Sequence, residues 1–276
     1  MKRHVAIPFA ALSLGIAGAA LRGWELAFAF EHDSWFAISG HPASVAVMVF
    51  MCVCIVAALV YSVGGSFRRT HGFLDAMAGT RVPFIVGMSA ALLLIIAAAA
   101  KGFIEFAANG GTPLHNLIFG ALAVISGFCV FAVSAGLYKG KVITSAGYCM
   151  LTPIFWGCLW LLFTYWVKSA DPVLIDYIYE LFAVMFVVIS FYLTAGFFFG
   201  NAYPKRTVFC LLMSVVTGTM NAGGIVAARV FYGRPFGEND LSNILYFGFA
   251  IIYCFVFCVV LLRNFAPKKI VVSREF

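Results

Sequence analysis

The sequence is poor in charged residues, which make up only 11% of its 276 positions, whereas 63% are hydrophobic. A soluble domain has about 25% charged and roughly 45–50% apolar residues. A water-facing surface of this size needs more charge than 18 basic and 11 acidic residues supply, so a soluble globular enzyme is excluded. Disordered and collagen-like chains are excluded by the same composition. A polytopic membrane protein remains.

Motifs for catalysis and cofactor binding are also missing. The sequence has no His-Glu-x-x-His zinc motif, no Gly-x-Ser-x-Gly nucleophile elbow and no Walker or dinucleotide glycine pattern. Only His115 of the five histidines falls within an apolar stretch, at its first turn, so haem ligation is not indicated. The eight cysteines lie in apolar stretches without metal-ligand spacing, which is typical of packing residues. We therefore predict no cofactor, no metal and no enzymatic activity.

Eight apolar stretches are long enough to cross a bilayer, which takes about 20 residues per helix. Their predicted bounds are Val5–Phe30, Ala43–Gly64, Pro83–Ala108, Pro113–Leu137, Ile143–Trp166, Val173–Gly200, Thr207–Phe231 and Ser242–Leu262. Segments such as Ala90–Ala100 are apolar on every face, which disfavours the alternating strands of an outer-membrane barrel. The sequence predicts an all-α polytopic membrane helix bundle of eight transmembrane helices, forming one integral membrane domain over residues 1–276.

Basic residues outside the spans predict the orientation. With the N-terminus in the cytoplasm, thirteen of these fifteen Lys and Arg residues are cytoplasmic, and only Lys168 and Arg234 are outside. Short basic loops are retained on the cytoplasmic side of the membrane during insertion. Both termini are therefore predicted to be cytoplasmic, in a plasma membrane. The net charge of +7 reflects this topology and contact with anionic lipid, and no nucleic-acid partner is indicated.

The N-terminus has an alternative interpretation as a cleaved signal peptide. Met1–His4 precede an apolar run that contains Ala17-Gly18-Ala19, a typical cleavage pattern. The run continues to Phe30, however, which is long enough to span the membrane. We expect the segment to be retained; cleavage would leave seven helices.

A weak internal repeat accompanies the eight spans. Arg22-Gly23-Trp24, Lys101-Gly102-Phe103 and Arg229-Val230-Phe231 occupy similar positions near the predicted outer ends of three spans. Three other spans share a small-residue pattern near their cytoplasmic ends. These patterns indicate a two-helix hairpin repeated four times with drift, an organisation common in transporters.

Seven charged residues fall inside spans, where each would cost about 2.5–3.5 kcal/mol at the helix centre, so they must face protein or water. They are Arg22, Glu25, Lys101, Glu105, Asp176, Glu180 and Arg229. The alternating helix directions place all seven in the outer leaflet. Six of the seven form pairs spaced by three or four residues, which puts both members of a pair on one helix face: Arg22 with Glu25, Lys101 with Glu105, and Asp176 with Glu180. Arg229 has no acid on its own helix, so we predict that it pairs with the sixth helix.

The seventh span carries a second polar signal at its middle. Thr217 and Asn221 share a face there, and Gly218, Gly223 and Gly224 weaken the helix. An interrupted helix at this depth is typical of transporter sites. The alternative is that small residues let helices pack closely while Asn and Thr bond across the interface.

Two functional hypotheses follow. The first is a small secondary transporter or permease with an outward-facing polar cavity for a small charged or zwitterionic solute. Its predicted ligand-binding residues are Arg22, Glu25, Lys101, Glu105, Asp176, Glu180, Asn221 and Arg229. The second is a non-catalytic membrane sensor or a subunit of a larger membrane complex, with the same charges as structural salt bridges. The bilayer is the one partner that the sequence indicates, and it names no protein partner.

The five tryptophans all lie in the predicted outer half or in outer loops. This distribution predicts an interfacial aromatic belt. The alternative is a stacking platform inside the bundle, formed mainly by Trp156 or Trp160.

Overall fold

The computed structural model describes residues 2–31, 36–65, 67, 76–77, 80–109, 114–140, 145–168, 177–234 and 240–265. Within these ranges the chain forms eight helices that are long and apolar enough to cross a membrane, and no β-strand. They are α1 Lys2–Phe28, α2 Pro42–Gly64, α3 Val82–Asn109, α4 Leu114–Tyr138, α5 Thr152–Lys168, α6 Ile178–Gly196, α7 Pro204–Tyr232 and α8 Asp240–Phe265. The prediction of an all-α chain with eight helices long and apolar enough to span a membrane is confirmed, as expected for a multi-pass membrane protein.

The fifth span departs most from its predicted bounds. A short helical turn, Ala146–Cys149, precedes α5, which begins only at Thr152. Pro153 explains the break, because proline has no amide hydrogen to donate to the carbonyl of Cys149, four residues earlier, where the short turn ends. At the sixth span, α6 continues into a single 3₁₀ turn, Phe197–Phe199, and Gly200 ends it in the left-handed conformation at φ +77°. The polar residues of α7 lie in one continuous helix, Pro204–Tyr232, which favours the packing interpretation of the seventh span over the interrupted-helix interpretation.

Helices α3 to α8 form a closed ring in chain order, with α8 packed back against α3. The α1–α2 hairpin lies outside this ring, and both of its helices pack on α7. As a result, 78% of the α7 span is buried, against 22% of the α2 span. The polar and small residues of the seventh span are thus placed where most other helices meet.

Contacting pairs of residues give the relative directions of packed helices. Gly15 lies against Thr219 and Gly23 against Ala227, so α1 and α7 are parallel. Ser190 and Tyr179 of α6 contact α7 residues in the reverse order, so α6 and α7 are antiparallel. Phe9 of α1 packs on Phe255 of α8, and Ile16 shares a crevice with Ile244, so α1 and α8 are antiparallel. The start of α1 and the end of α8 therefore lie at the same end of the bundle. The membrane side of that end, and the fourfold hairpin repeat, stay predictions.

The α1–α7 interface is built from small residues at four-residue intervals. A Cβ atom at Gly15 would lie 2.7 Å from the Thr219 Cβ, and one at Gly223 would lie 2.6 Å from the Ala19 Cβ. Both distances are far inside van der Waals contact, so the two backbones approach as closely as glycine allows. This is the small-residue packing of membrane helices, and it supports the packing interpretation of the α7 glycines.

Candidate functional site

Four residues from three helices form what we call the polar cluster: Arg22 and Glu25 of α1, Tyr179 of α6 and Asn221 of α7. Arg22 Nη1 donates to Glu25 Oε2 in an ion pair, and each residue is only 3% exposed. The Arg22 guanidinium carbon also lies 4.8 Å from the centroid of the Tyr179 ring. Such a cation–π contact is worth about 2 kcal/mol where water is excluded. The arginine therefore has two partners without any solute.

Asn221 joins α7 to the first turn of α6. Its Nδ2 donates to the Tyr179 carbonyl at 3.0 Å and to the Thr217 carbonyl at 2.9 Å. Side-chain hydrogen bonds between membrane helices contribute about 0.6 kcal/mol on average. Arg22, Glu25 and Asn221 thus lie in one cluster, but Arg22 and Glu25 pair with each other, and the Asn221 amide donates to carbonyls of α6 and of its own helix.

Two further predicted residues contact the first turn of α8. Asn243 Nδ2 donates to Glu180 Oε1 at 3.1 Å, and Lys101 Nζ donates to Ser242 Oγ at 3.3 Å. The sequence predicted polar residues on the first, third, sixth and seventh spans, and the contribution of α8 was not predicted. The available signal was the polar start of that apolar helix, where Asp240 precedes Ser242 and Asn243.

Arg229 lies apart from the polar cluster. It is exposed in the last turn of α7, where its Nη1 donates to the Arg234 carbonyl at 3.3 Å. Asp176, a predicted partner on the sixth span, lies outside the described residues, and so does the side chain of Glu105. Pairing of Arg229 with the sixth span therefore stays a prediction.

A line of hydroxyl groups runs along the α6–α7 interface, further from the polar cluster. Ser190 Oγ and Ser214 Oγ are 2.8 Å apart and share one hydrogen bond. Thr194 and Thr217 donate to carbonyls one turn earlier in their own helices. Hydroxyls that bond across an interface or back to the backbone stabilise helix packing. Thr217 belongs to this packing line, as the second interpretation of the seventh span predicts.

The second buried feature, which we call the indole cluster, lies where α4, α5 and α8 face one another. It consists of Trp156, Trp160, Phe119, Tyr246 and Phe249. The centroids of the two indole rings are 5.2 Å apart, and the Phe119 ring stacks on Trp156 with a centroid distance of 5.8 Å. Tyr246 contacts both indoles, at 5.6 and 5.9 Å. These rings come from α4, α5 and α8, so the cluster binds three helices together.

The belt prediction is wrong for Trp156 and Trp160, which are 0% and 2% exposed. Trp166, on the same helix, is 61% exposed and is available to the interface. Hydropathy gives the depth of a residue but not the direction in which it points. The four-residue spacing of Trp156 and Trp160 put them on one face, and this was the signal for a buried platform. Trp35 lies outside the described residues.

Two apolar crevices open on the sides of the bundle. One, of about 360 Å³, lies between α3 and α4 with Tyr246 among its lining residues. The other, of about 580 Å³, lies between α1, α7 and α8 and includes Thr219. In the described part of the chain, no three His, Cys, Asp or Glu residues lie close enough to hold a metal ion.

Comparisons with protein-family models, with curated proteins and with solved structures find no match for this chain. The two clusters and the two crevices are therefore the basis on which its function is assigned.

Proposed function

We propose that the chain is a non-catalytic multi-pass membrane protein, a sensor or a subunit of a larger membrane complex, whose intramembrane charges are structural. The observation that carries this proposal is the ion pair of Arg22 and Glu25, with both residues 3% exposed. A transport site has to exchange protein partners for a solute. Here each charge has its partner on the same helix, and Tyr179 covers the arginine.

The other located charges support the same proposal. Glu180 and Lys101 hydrogen-bond to Asn243 and Ser242, so they join α6 and α3 to the same turn of α8. Intramembrane charges that have partners within the protein can fix the helix register, and this structural role requires no ligand. The α1–α7 interface, closed by glycine contacts, leaves little room for one helix to slide along the other.

A double-mutant cycle on the ion pair tests the structural role. Arg22→Gln or Glu25→Gln alone leaves one buried charge unpaired, which costs about 3–5 kcal/mol. The double variant should lose much less free energy of unfolding than the sum of the losses in the two single variants, because neither charge remains. The free energy of unfolding in mixed micelles measures this, with the exposed Arg229→Gln as the control. Single variants as stable as the control would reject the structural role.

A secondary transporter is the second candidate, favoured by the arrangement at α8. Lys101 is half-buried, and its partner Ser242 is adjacent in sequence to Asn243, the partner of Glu180. A zwitterionic solute would offer a carboxylate to the lysine and an ammonium group to the glutamate, and both charged contacts would be stronger than the present ones.

Thermal-shift measurements with the twenty amino acids and glycine betaine separate the two candidates. Saturable stabilisation that is lost in Glu180→Gln, with unchanged stability of the ligand-free variant, would favour transport and overturn the structural proposal. No stabilisation by any of these zwitterions is the result that the structural proposal expects.

The proposal includes a plasma-membrane location with both termini in the cytoplasm. The thirteen-to-two distribution of basic residues supports it. A reporter that is active only in the cytoplasm should be active when fused to either end of the chain. Activity at either end of a reporter that must be exported to function would contradict this topology.

A further inference from the structure

The two indoles of the indole cluster are unusual in having no hydrogen-bond acceptor. Within the described part of the chain, neither Trp156 Nε1 nor Trp160 Nε1 has a partner, although both atoms are fully buried. Tryptophan N–H groups normally find a partner when they are buried. Two unpaired donors one helical turn apart call for a physical explanation.

The surroundings of these donors are aromatic. The ring centroid of Phe247 lies 4.7 Å from that of Trp160, and the centroids of Phe249 and Phe191 lie 5.6 Å and 6.5 Å from that of Trp156. A ligand held here would lie between flat rings and would accept hydrogen bonds. Charged ligands are disfavoured, because the rings offer no counterion.

The crevice between α3 and α4 leads from the side of the bundle towards this cluster. Small side chains such as Ala99, Ala100 and Gly120 create its space of about 360 Å³. This volume is within the range of small-molecule sites in proteins. Tyr246 lines the crevice and also contacts both indole rings, so its side chain lies between the crevice and the indole cluster.

We propose that the indole cluster binds a neutral, flat, lipid-soluble molecule with carbonyl acceptors, of the quinone class, which enters from the bilayer between α3 and α4. Each of these properties follows from one observation. The unpaired N–H groups require acceptors, the rings require a flat molecule, and the apolar crevice requires solubility in lipid. Entry requires the Tyr246 ring to turn away from the indoles. This site is separate from the polar cluster, so the inference goes beyond the proposed function and does not rest on it.

Nuclear magnetic resonance of the indole groups tests the proposal directly. The chain has five tryptophans, so ¹⁵N-indole labelling gives five N–H signals. The probe is a benzoquinone with a decyl tail, added to the purified full chain in lipid nanodiscs. The signals of Trp156 and Trp160 should move downfield and saturate, while that of Trp166 stays in place. Decylbenzene, which lacks carbonyl groups, should leave all five signals unchanged.

Two kinds of variant locate the site. Trp156→Phe and Trp160→Phe keep a ring and remove the donor, so each should weaken binding of the quinone about tenfold. Trp166→Phe is the matched control on the same helix and should bind like the wild type. Ala100→Phe fills the crevice from its exposed side, outside the core, and should abolish binding without changing the stability of the ligand-free protein.

Three results would overturn the proposal. The first is the absence of saturable shifts with the quinone. The second is equal binding of the quinone by the wild type and by both indole variants, which would indicate that the N–H groups point at aromatic ring faces and do not bond the quinone. The third is unchanged binding by Ala100→Phe, which would exclude the α3–α4 entrance.

Discussion

The polar cluster and the indole cluster are both buried in the same bundle, but their hydrogen-bond donors meet opposite conditions. In the polar cluster, Arg22 donates to Glu25, and Asn221 donates to two carbonyl groups. In the indole cluster, Trp156 and Trp160 donate to no atom of the described chain. The strongly polar residues are the satisfied ones, and the mostly apolar residues keep unused hydrogen-bonding capacity.

This difference changes where a ligand is to be expected. A charge inside a membrane is a functional candidate by default, because it is costly to place there. Once the charge has partners on its own and neighbouring helices, that cost is already offset by the protein. A buried unpaired donor costs about 1–3 kcal/mol until an acceptor arrives, so ligand binding has more to gain at the indole cluster.

The largest effect expected from a change beside the polar cluster comes from crowding the arginine. In Gly224→Ala, the new Cβ would lie 2.6 Å from Arg22 Cγ, so the helices must separate or the arginine must move. Overpacking of this kind costs about 1–3 kcal/mol. Gly102→Ala is the control, since no atom lies within 4 Å of its new Cβ. Equal free energies of unfolding for the two variants would show that the α1–α7 contact is looser than described.

A smaller loss is expected when the polar cluster loses its amide. Asn221→Ala removes both hydrogen bonds of the Asn221 side chain, and we expect a loss of about 1 kcal/mol in the free energy of unfolding. Ser13→Ala is the control, because the exposed Ser13 hydroxyl bonds only within its own helix. A loss no larger than that of the control would mean that Asn221 does not hold α6 against α7.

The smallest effect should come from the indole cluster. Trp156→Phe deletes packed atoms but also removes an unpaired donor, so the two contributions oppose each other. We expect the free energy of unfolding of the ligand-free protein to change by less than about 1 kcal/mol. A loss well above that value would indicate that the indole N–H is bonded in the folded protein, and it would remove the contrast between the two clusters.

Much of the fold could be predicted from the sequence, because the apolar character of a single segment is enough to identify it as a membrane-spanning helix. The α2 and α3 bounds differ from their predicted ones by a single residue at most, and each predicted span corresponds to one long helix. The break before Thr152 was missed, although Pro153 provided a local signal for it.

The site was less predictable, because its contacts join residues distant in sequence. The i,i+3 spacing predicted the pairing of Arg22 with Glu25, since both are on one helix. The contact of Asn243 with Glu180 crosses 63 positions, and no periodicity of either helix reports it. The burial of Trp156 depends likewise on which face α5 turns to the ring, and hydropathy carries no information about that choice.

The parallel contact of α1 with α7 has a consequence for biosynthesis. Arg22 and its neighbour Gly224 are about 200 residues apart in the chain, which takes roughly 10–40 s to translate. Throughout that interval α1 cannot pack against α7, and its two intramembrane charges, Arg22 and Glu25, have each other as partners within one helix turn. Glu25 is thus a counterion on the same helix as Arg22, so the charge of Arg22 is already paired in the bilayer before the seventh span is synthesised and packs against α1.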